Sequence, residues 1–272
     1  MLTGMWVKAC INGARGPREH PALPVTPAAM AREADGAVRA GARAVHLHAR
    51  DAVGAESLIP SDVAACVTAV RAAVPGVSVG VSTGLWVCSG DADLRFATVS
   101  GWGELDGAAR PDFASVNLSE EGALDLWHSL AELGIGVEPG VWSPSDLGVL
   151  ARGRLDGSVV RILLEIVGDG GPDAPEDARD APDAAGDGLA RAVELLAAAR
   201  AAVPAGMSDE VPFLLHGEDA AAWPVLRLAL REGLQTRIGL EDVLTGPDGE
   251  RVDGNAHLVR AARALAASGA GN

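Results

Sequence analysis

A short apolar run followed by a longer Ala/Leu/Val-rich stretch recurs eight times along the 272 residues. The runs are WVKACIN (6–12), AVHLH (44–48), SVGVST (78–83), FASVNL (113–118), GVEPGVW (136–142), VVRILLEI (159–166), PFLLHGE (212–218) and TRIGLED (236–242). Helices are expected between them at 27–41, 61–73, 90–99, 120–133, 144–152, 185–203, 219–232 and 255–267. Strands alternating with helices imply a parallel sheet, and eight such units in one chain of this length predict a TIM (β/α)8 barrel. Thr26-Pro27 and Pro60-Ser61-Asp62 signal helix starts, and Gly41 and Gly134 signal helix ends.

One domain over 1–272 is expected, because no internal repeat or second composition type appears. Residues 168–188, GDGGPDAPEDARDAPDAAGDG, break the rhythm. Their composition predicts a flexible acidic loop. A lid is the alternative, since the segment follows the sixth strand on the face where barrel active sites lie.

Composition narrows the partners. Hydrophobic residues make up 48%, enough for a sizeable core. The formal net charge is -15 and Lys8 is the only lysine, which argues against nucleic acid and membrane surfaces as partners. No run approaches the roughly 20 apolar residues of a spanning helix. The first residues lack the apolar core and cleavage site of a signal peptide. Cys10, Cys66 and Cys88 are odd in number and far apart, which points to reduced thiols and a cytoplasmic protein.

Polar residues gather where the strands end. Asn12 closes strand 1, with Arg15 beyond it. His46, His48, Arg50 and Asp51 close strand 2, and Ser82, Thr83 and Gly84 close strand 3. Asn117 ends strand 4, Glu138 and Trp142 lie on strand 5, and Glu165 ends strand 6. His216 and Glu218 end strand 7, and strand 8 carries Arg237, Glu241 and Asp242. Solvent at strand ends explains one or two such residues; eight ends favour a catalytic face.

The two histidines of AVHLHARD are alternate strand residues. They face one way, about 6.5–7 Å apart along the chain. On their own, they are as readily a hydrogen-bonded core pair as a ligand pair. Glu241 is a candidate third ligand. Two His and one carboxylate with an open position form a catalytic zinc set, and iron or manganese suit it too.

HLHARD, STG, RIGLED and the closing NAHLV together resemble the β-keto acid cleavage enzyme family, over nearly the whole chain. That resemblance implies a TIM barrel, independently of the strand count. It implies Zn2+, or another divalent metal, on His46, His48 and Glu241, with acetyl-CoA as co-substrate. The implied reaction takes a β-keto acid and acetyl-CoA to acetoacetate and a new acyl-CoA. Asp242 matches the family's base, oriented by Arg237. Ser82 matches a serine that positions substrate and handles the proton or oxyanion. Arg15, Asn12, Thr83, Gly84, Asn117, Glu138 and His216 are the candidate substrate contacts. A homo-oligomer is implied as well.

Arg15 departs from the family. A member acting on an amino substrate places a glutamate there to hold the ammonium. A cation at that position repels an ammonium and favours a neutral or anionic tail, a carboxylate being one option. Glu120, Glu138, Glu165 and Glu218 are the candidates to neutralise it or to bind a polar tail instead. Trp142 and Trp223 are candidate walls of an apolar pocket. No basic patch marks a CoA site; Arg18 and Arg50 are the candidates. Arg50 and Asp51 either touch CoA or order the loop after the ligands. Two other functions stay open: a metal-dependent barrel lyase or hydrolase without CoA, and a catalytically silent metal-binding barrel.

Overall fold

The computed structural model describes residues 5–153, 155–168, 184–203 and 211–269. Among them are strands β1 (Val7–Cys10), β2 (Ala44–Leu47), β3 (Ser78–Ser82), β4 (Phe113–Asn117), β5 (Gly136–Val141), β6 (Ile162–Ile166), β7 (Phe213–Gly217) and β8 (Thr236–Ile238). They form one parallel sheet in the order β7-β6-β5-β4-β3-β2-β1-β8. A parallel bridge between Leu214 and Gln235 brings β7 back beside β8. The result is the expected TIM barrel.

The intervening α-helices are α1 (Pro27–Ala40), α2 (Pro60–Ala73), α3 (Ala92–Ser100), α4 (Ala123–Glu132), α5 (Leu147–Leu150), α6 (Ala184–Ala202), α7 (Ala222–Arg231) and α8 (Asn255–Ala267). Thr26 caps α1 by accepting from the Ala29 amide at 3.3 Å, and Gly41 ends it in the left-handed region. Single 3₁₀ turns, Pro144–Asp146 and Asp219–Ala221, replace the expected first turns of α5 and α7. The expected acidic loop lies mostly at 169–183, outside the described residues. Its last residues, from Ala184, belong to α6 instead. Gly188 serves there as a contact residue, because a Cβ on it would meet the Ala221 Cβ at 2.6 Å.

Strand alternation sorts side chains between two compartments. Val7, Ala9 and Ile11, Val45 and Leu47, Val79 and Val81, and Val137 and Val141 join the apolar core against the helices. The intervening positions face the barrel axis and carry the polar residues. Low in the barrel, Lys8 Nζ lies 2.5 Å from Glu138 Oε2, and Arg161 pairs with the other oxygen of Glu138. All three residues are buried. Glu138 is therefore a structural ion-pair residue, not the expected substrate contact: both of its oxygens are held by buried cations.

Candidate active site

The two histidines reach the barrel mouth from one strand, and Glu241 reaches it from two strands away. Cys10 of β1 organises both. Its register partner is His46, and its carbonyl accepts from the Glu241 amide at 3.2 Å. Strand β8 ends at Ile238, earlier than expected. Asp242 and Val243 both donate backbone N–H to the Gly239 carbonyl, so Glu241 and Asp242 lie in a turn. That turn sends the two carboxylates to different places.

His46 Nε2 and His48 Nε2 lie 3.8 and 3.7 Å from Glu241 Oε1. One ligand atom from each of the three residues lies within 4.8 Å of the others. His46 Nδ1 and Glu241 Oε2 are buried without a hydrogen-bond partner. Burial holds His46 well below its ordinary pKa, as a neutral ligand requires. His48 behaves oppositely: burial disfavours its charge, but Glu241 and Glu56 overcome that and raise it to about 9. Burial also opposes charge on Glu241, yet Arg237 and the imidazoles hold its carboxyl well below the usual range. Donor chemistry, spacing and unpartnered atoms all fit a divalent cation with an open position.

Arg237 is the hub beside this triad. Its guanidinium reaches Asp242 Oδ1 at 2.9 and 3.0 Å, Glu241 Oε1 at 3.0 Å, Glu165 Oε2 at 3.3 Å and Glu218 Oε1 at 3.7 Å. Asp242 is fully buried, with Oδ2 unpartnered. Burial pushes its pKa up against the pull of Arg237, making it a stronger base than ion pairing alone suggests. Partial burial likewise pushes Glu218 up to about 8 against the pull of Arg237, with Asp242, Glu241 and Asp219 adding to the rise. Glu165 goes the other way. Burial opposes its charge, but the His216 hydrogen bond and Arg237 bring it down to about 2.

Glu165 reaches the centre because β5 carries glycine at position 140. A Cβ there would meet Glu165 Oε1 at 2.3 Å. Glu165 Oε2 lies 2.8 Å from His216 Nε2, and the other face of His216 approaches Asp242 Oδ1 at 3.7 Å.

A cavity of about 150 Å³ opens above these groups. His48, Glu241, Arg237, Ser82 and Asn117 all line it, and Trp86 and Trp142 supply indole walls. Both indole N–H groups are engaged, Trp86 with Glu56 and Trp142 with Glu165. The walls therefore offer mainly carbon. Trp223 instead donates to the Thr245 carbonyl and is not a wall residue.

Several expected substrate contacts do other work. Asn12 is fully buried, bonding the Pro24 carbonyl, both backbone groups of His48 and the Gly13 amide. It latches the ends of β1 and β2 together, with no donor left for a ligand. Thr83 turns its hydroxyl to the Ser115 carbonyl at 2.6 Å. Gly84 donates to Ser82 Oγ and leaves room for Trp86, whose ring a Cβ would meet at 2.3 Å. His216 is buried outside the cavity lining. Arg15 does line it, but pairs with Glu19 and Asp219 and donates to the Glu241 carbonyl. Its neutralising partners are thus Glu19 and Asp219, not the four glutamates expected.

Arg50 donates to the carbonyls of Gly13, Arg15 and Gly54, latching the loop after the ligands. Asp51 accepts from the Val53 and Ala55 amides in the same loop. Glu56, Trp86 and Asp219 carried no motif signal; only the loops' return over the strand ends brings them in.

The family model of the beta-keto acid cleavage enzyme matches residues 5–142 and 185–270. The chain belongs to that family. Within it, a 3-keto-5-aminohexanoate cleavage enzyme of Fusobacterium nucleatum subsp. nucleatum is 38% identical over 85 residues. That match covers 31% of each chain. Among solved structures, apo ObcA superimposes with a TM-score of 0.68 at 22% identity, covering 92% of this chain and 63% of that one. A ternary complex of ObcA with a C4-CoA adduct and oxalate gives a TM-score of 0.66 at 21% identity, covering 92% and 65%. The chain therefore spans less than two thirds of the length of each of these relatives, and at these identities ObcA supports the barrel alone.

Proposed function

We propose that this β-keto acid cleavage family member transfers the acyl part of a β-keto acid to CoA, with acetyl-CoA as co-substrate and acetoacetate as the second product. The observation that carries the reading is the His46/His48/Glu241 cluster beside the Arg237–Asp242 pair. His48, Glu241 and Arg237 line one cavity, and Asp242 lies buried behind Arg237. CoA is proposed as the partner on the strength of the family membership; ObcA, which shares this fold, is the protein described with a C4-CoA adduct and oxalate.

A divalent ion on the cluster, Zn2+ in this proposal, would supply Lewis acidity toward the keto oxygen. The chain's own groups do the rest. Asp242 Oδ2 takes the proton from the carbon between the two carbonyl groups. Arg237 holds Asp242 through Oδ1 and leaves Oδ2 free. The Ser82 hydroxyl, at the end of β3, donates to the oxygen on which charge develops. Trp86 and Trp142 limit water around it.

The tail of the substrate is proposed to be short and neutral. By the family resemblance Arg15 matches the position that binds an ammonium in another member, and here Glu19 and Asp219 neutralise it. Neither an ammonium nor a carboxylate finds an unpaired partner there. The protein is further proposed to act in the cytoplasm as a homo-oligomer and as a single domain. Its three cysteines are free and buried, and no helix among the described residues is long and apolar enough to cross a membrane.

A second reading is a lyase or hydrolase acting without CoA. It is favoured by one fact: among the described residues, the arginines lining the cavity, Arg15 and Arg237, are both ion-paired, so neither offers a free phosphate site. Product analysis of a panel of β-keto acids, with and without acetyl-CoA, decides between the two. Turnover that needs no acetyl-CoA overturns the first reading. Preference for an amino-tailed acid overturns the proposed tail.

A further inference from the structure

The two imidazoles of the cluster are held differently. His46 Nδ1 is buried with no partner. His48 Nδ1 lies 2.5 Å from Glu56 Oε1. The second oxygen of Glu56 accepts the indole N–H of Trp86 at 3.1 Å. That indole stacks on the His48 ring, with centroids 6.1 Å apart and planes 26° from parallel. One carboxylate therefore grips both a cluster imidazole and the aromatic wall lying against it.

The loop carrying Glu56 is built to place it. Arg50 and Glu56 form an antiparallel bridge that returns the chain past His48. Asp51 Oδ1 ties down the Val53 and Ala55 amides, each at 2.9 Å. The Ser57 amide bonds the Ala49 carbonyl at 3.0 Å, fixing the far end. Both oxygens of Glu56 are engaged, one by His48 and one by Trp86, and Glu56 does not line the cavity.

We propose that Glu56 is a positioning residue: it holds His48 as the Nδ1–H tautomer, aims Nε2 at the metal position, and couples that ligand to the Trp86 wall. An imidazole can offer only one ring nitrogen to the ion. A carboxylate on the other nitrogen fixes which one, sets the ring angle and raises its basicity. This rests on the metal-site reading above. His46 Nδ1 lacks such a partner, so His48 is the ligand whose orientation a carboxylate sets.

The test uses the full-length protein stripped of metal, with E56A, E56Q and W86F. Affinity for Zn2+ and Co2+ is measured by chelator competition, and the Co2+ visible spectrum is recorded at saturation. E56A is expected to lose about 10–100-fold in affinity, the scale for removing such outer partners, and to shift the Co2+ bands. E56Q keeps an oxygen for Nδ1–H but loses the charge, and is expected between E56A and wild type. W86F is expected to keep metal affinity, because it leaves the Glu56–His48 bond in place, and to raise KM. Melting of the metal-free proteins separates a folding defect from a ligand defect; if E56A fails to fold, E56Q carries the test on the same two readouts. Unchanged affinity and spectrum in a folded Glu56 variant would overturn the proposal while leaving the metal site standing. A wild-type protein that binds neither ion overturns the metal-site reading and this proposal with it.

Discussion

Gly13 packs directly onto Glu241: a Cβ at position 13 would lie 2.5 Å from Glu241 Cγ and 3.1 Å from its Cα. Gly13 also has φ of 61°, which only glycine adopts freely. G13A is therefore expected to push Glu241 away from His46 and His48. The expected result is a fall in Zn2+ affinity of about tenfold or more, comparable to losing a ligand's support. Calorimetric titration of the metal-free variant checks it, and wild-type affinity would refute it.

Asp242 is buried with one oxygen on Arg237 and the other unpartnered. D242N preserves the shape and removes the base. Its kcat/KM is expected to drop by about 10²–10⁴-fold, the usual contribution of a positioned base. Metal content should be retained. Steady-state kinetics with matched metal analysis is the measurement, and full turnover in D242N would exclude the proposed proton transfer.

Glu165 has a folded pKa of about 2, below its ordinary value near 4.5. A depressed carboxyl stabilises the fold fully above its unfolded pKa, and that contribution is lost as pH falls through the folded value. Its size is about 3 kcal/mol, from a pKa lowered from 4.5 to about 2. Urea unfolding of wild type and E165Q at pH values between 5 and 2 should therefore converge toward the acid end. Parallel curves would show that the His216 and Arg237 contacts do not hold the charge.

Lys8 and Glu138 form a pair with no exposed side-chain surface. K8M leaves Glu138 with Arg161 as its one cationic partner in the barrel interior. A loss of about 1–3 kcal/mol in unfolding free energy is expected, since Glu138 Oε2 loses its buried donor while Arg161 still compensates the charge. Chemical denaturation reads it directly.

Arg15 clamps Glu19, Asp219 and the Glu241 carbonyl together. R15A releases two carboxylates at the cavity. An amino-tailed β-keto acid should gain in kcat/KM relative to a neutral-tailed one. A ratio that stays unchanged would remove Arg15 from tail selection.

The two histidines of the cluster were legible as a pair because β-strand alternation is a local rule, whereas Glu241, in a turn beyond β8, was tied to them through the resemblance of RIGLED to the family. His46 and His48 must share a face whatever the rest of the chain does. Eight alternating apolar runs likewise require a parallel sheet with helices outside it. The loop-borne residues were not legible, since their partners depend on how each loop returns over the strand ends. Glu56 is eight positions from His48 with no motif between them. Asp219 is 204 positions from Arg15, and nothing local marks the pair.

Sequence by itself determined the barrel, its strands and the polar character of its mouth, because periodicity and residue type act within a few positions. Tertiary structure decided which polar groups face the cavity. Asn12, Thr83 and Glu138 were drawn into backbone latches and buried ion pairs, because a buried polar atom must find a partner wherever the fold supplies one. The same requirement gave AVHLHARD its meaning: Arg50 and Asp51 order the loop, and the loop delivers Glu56 to His48.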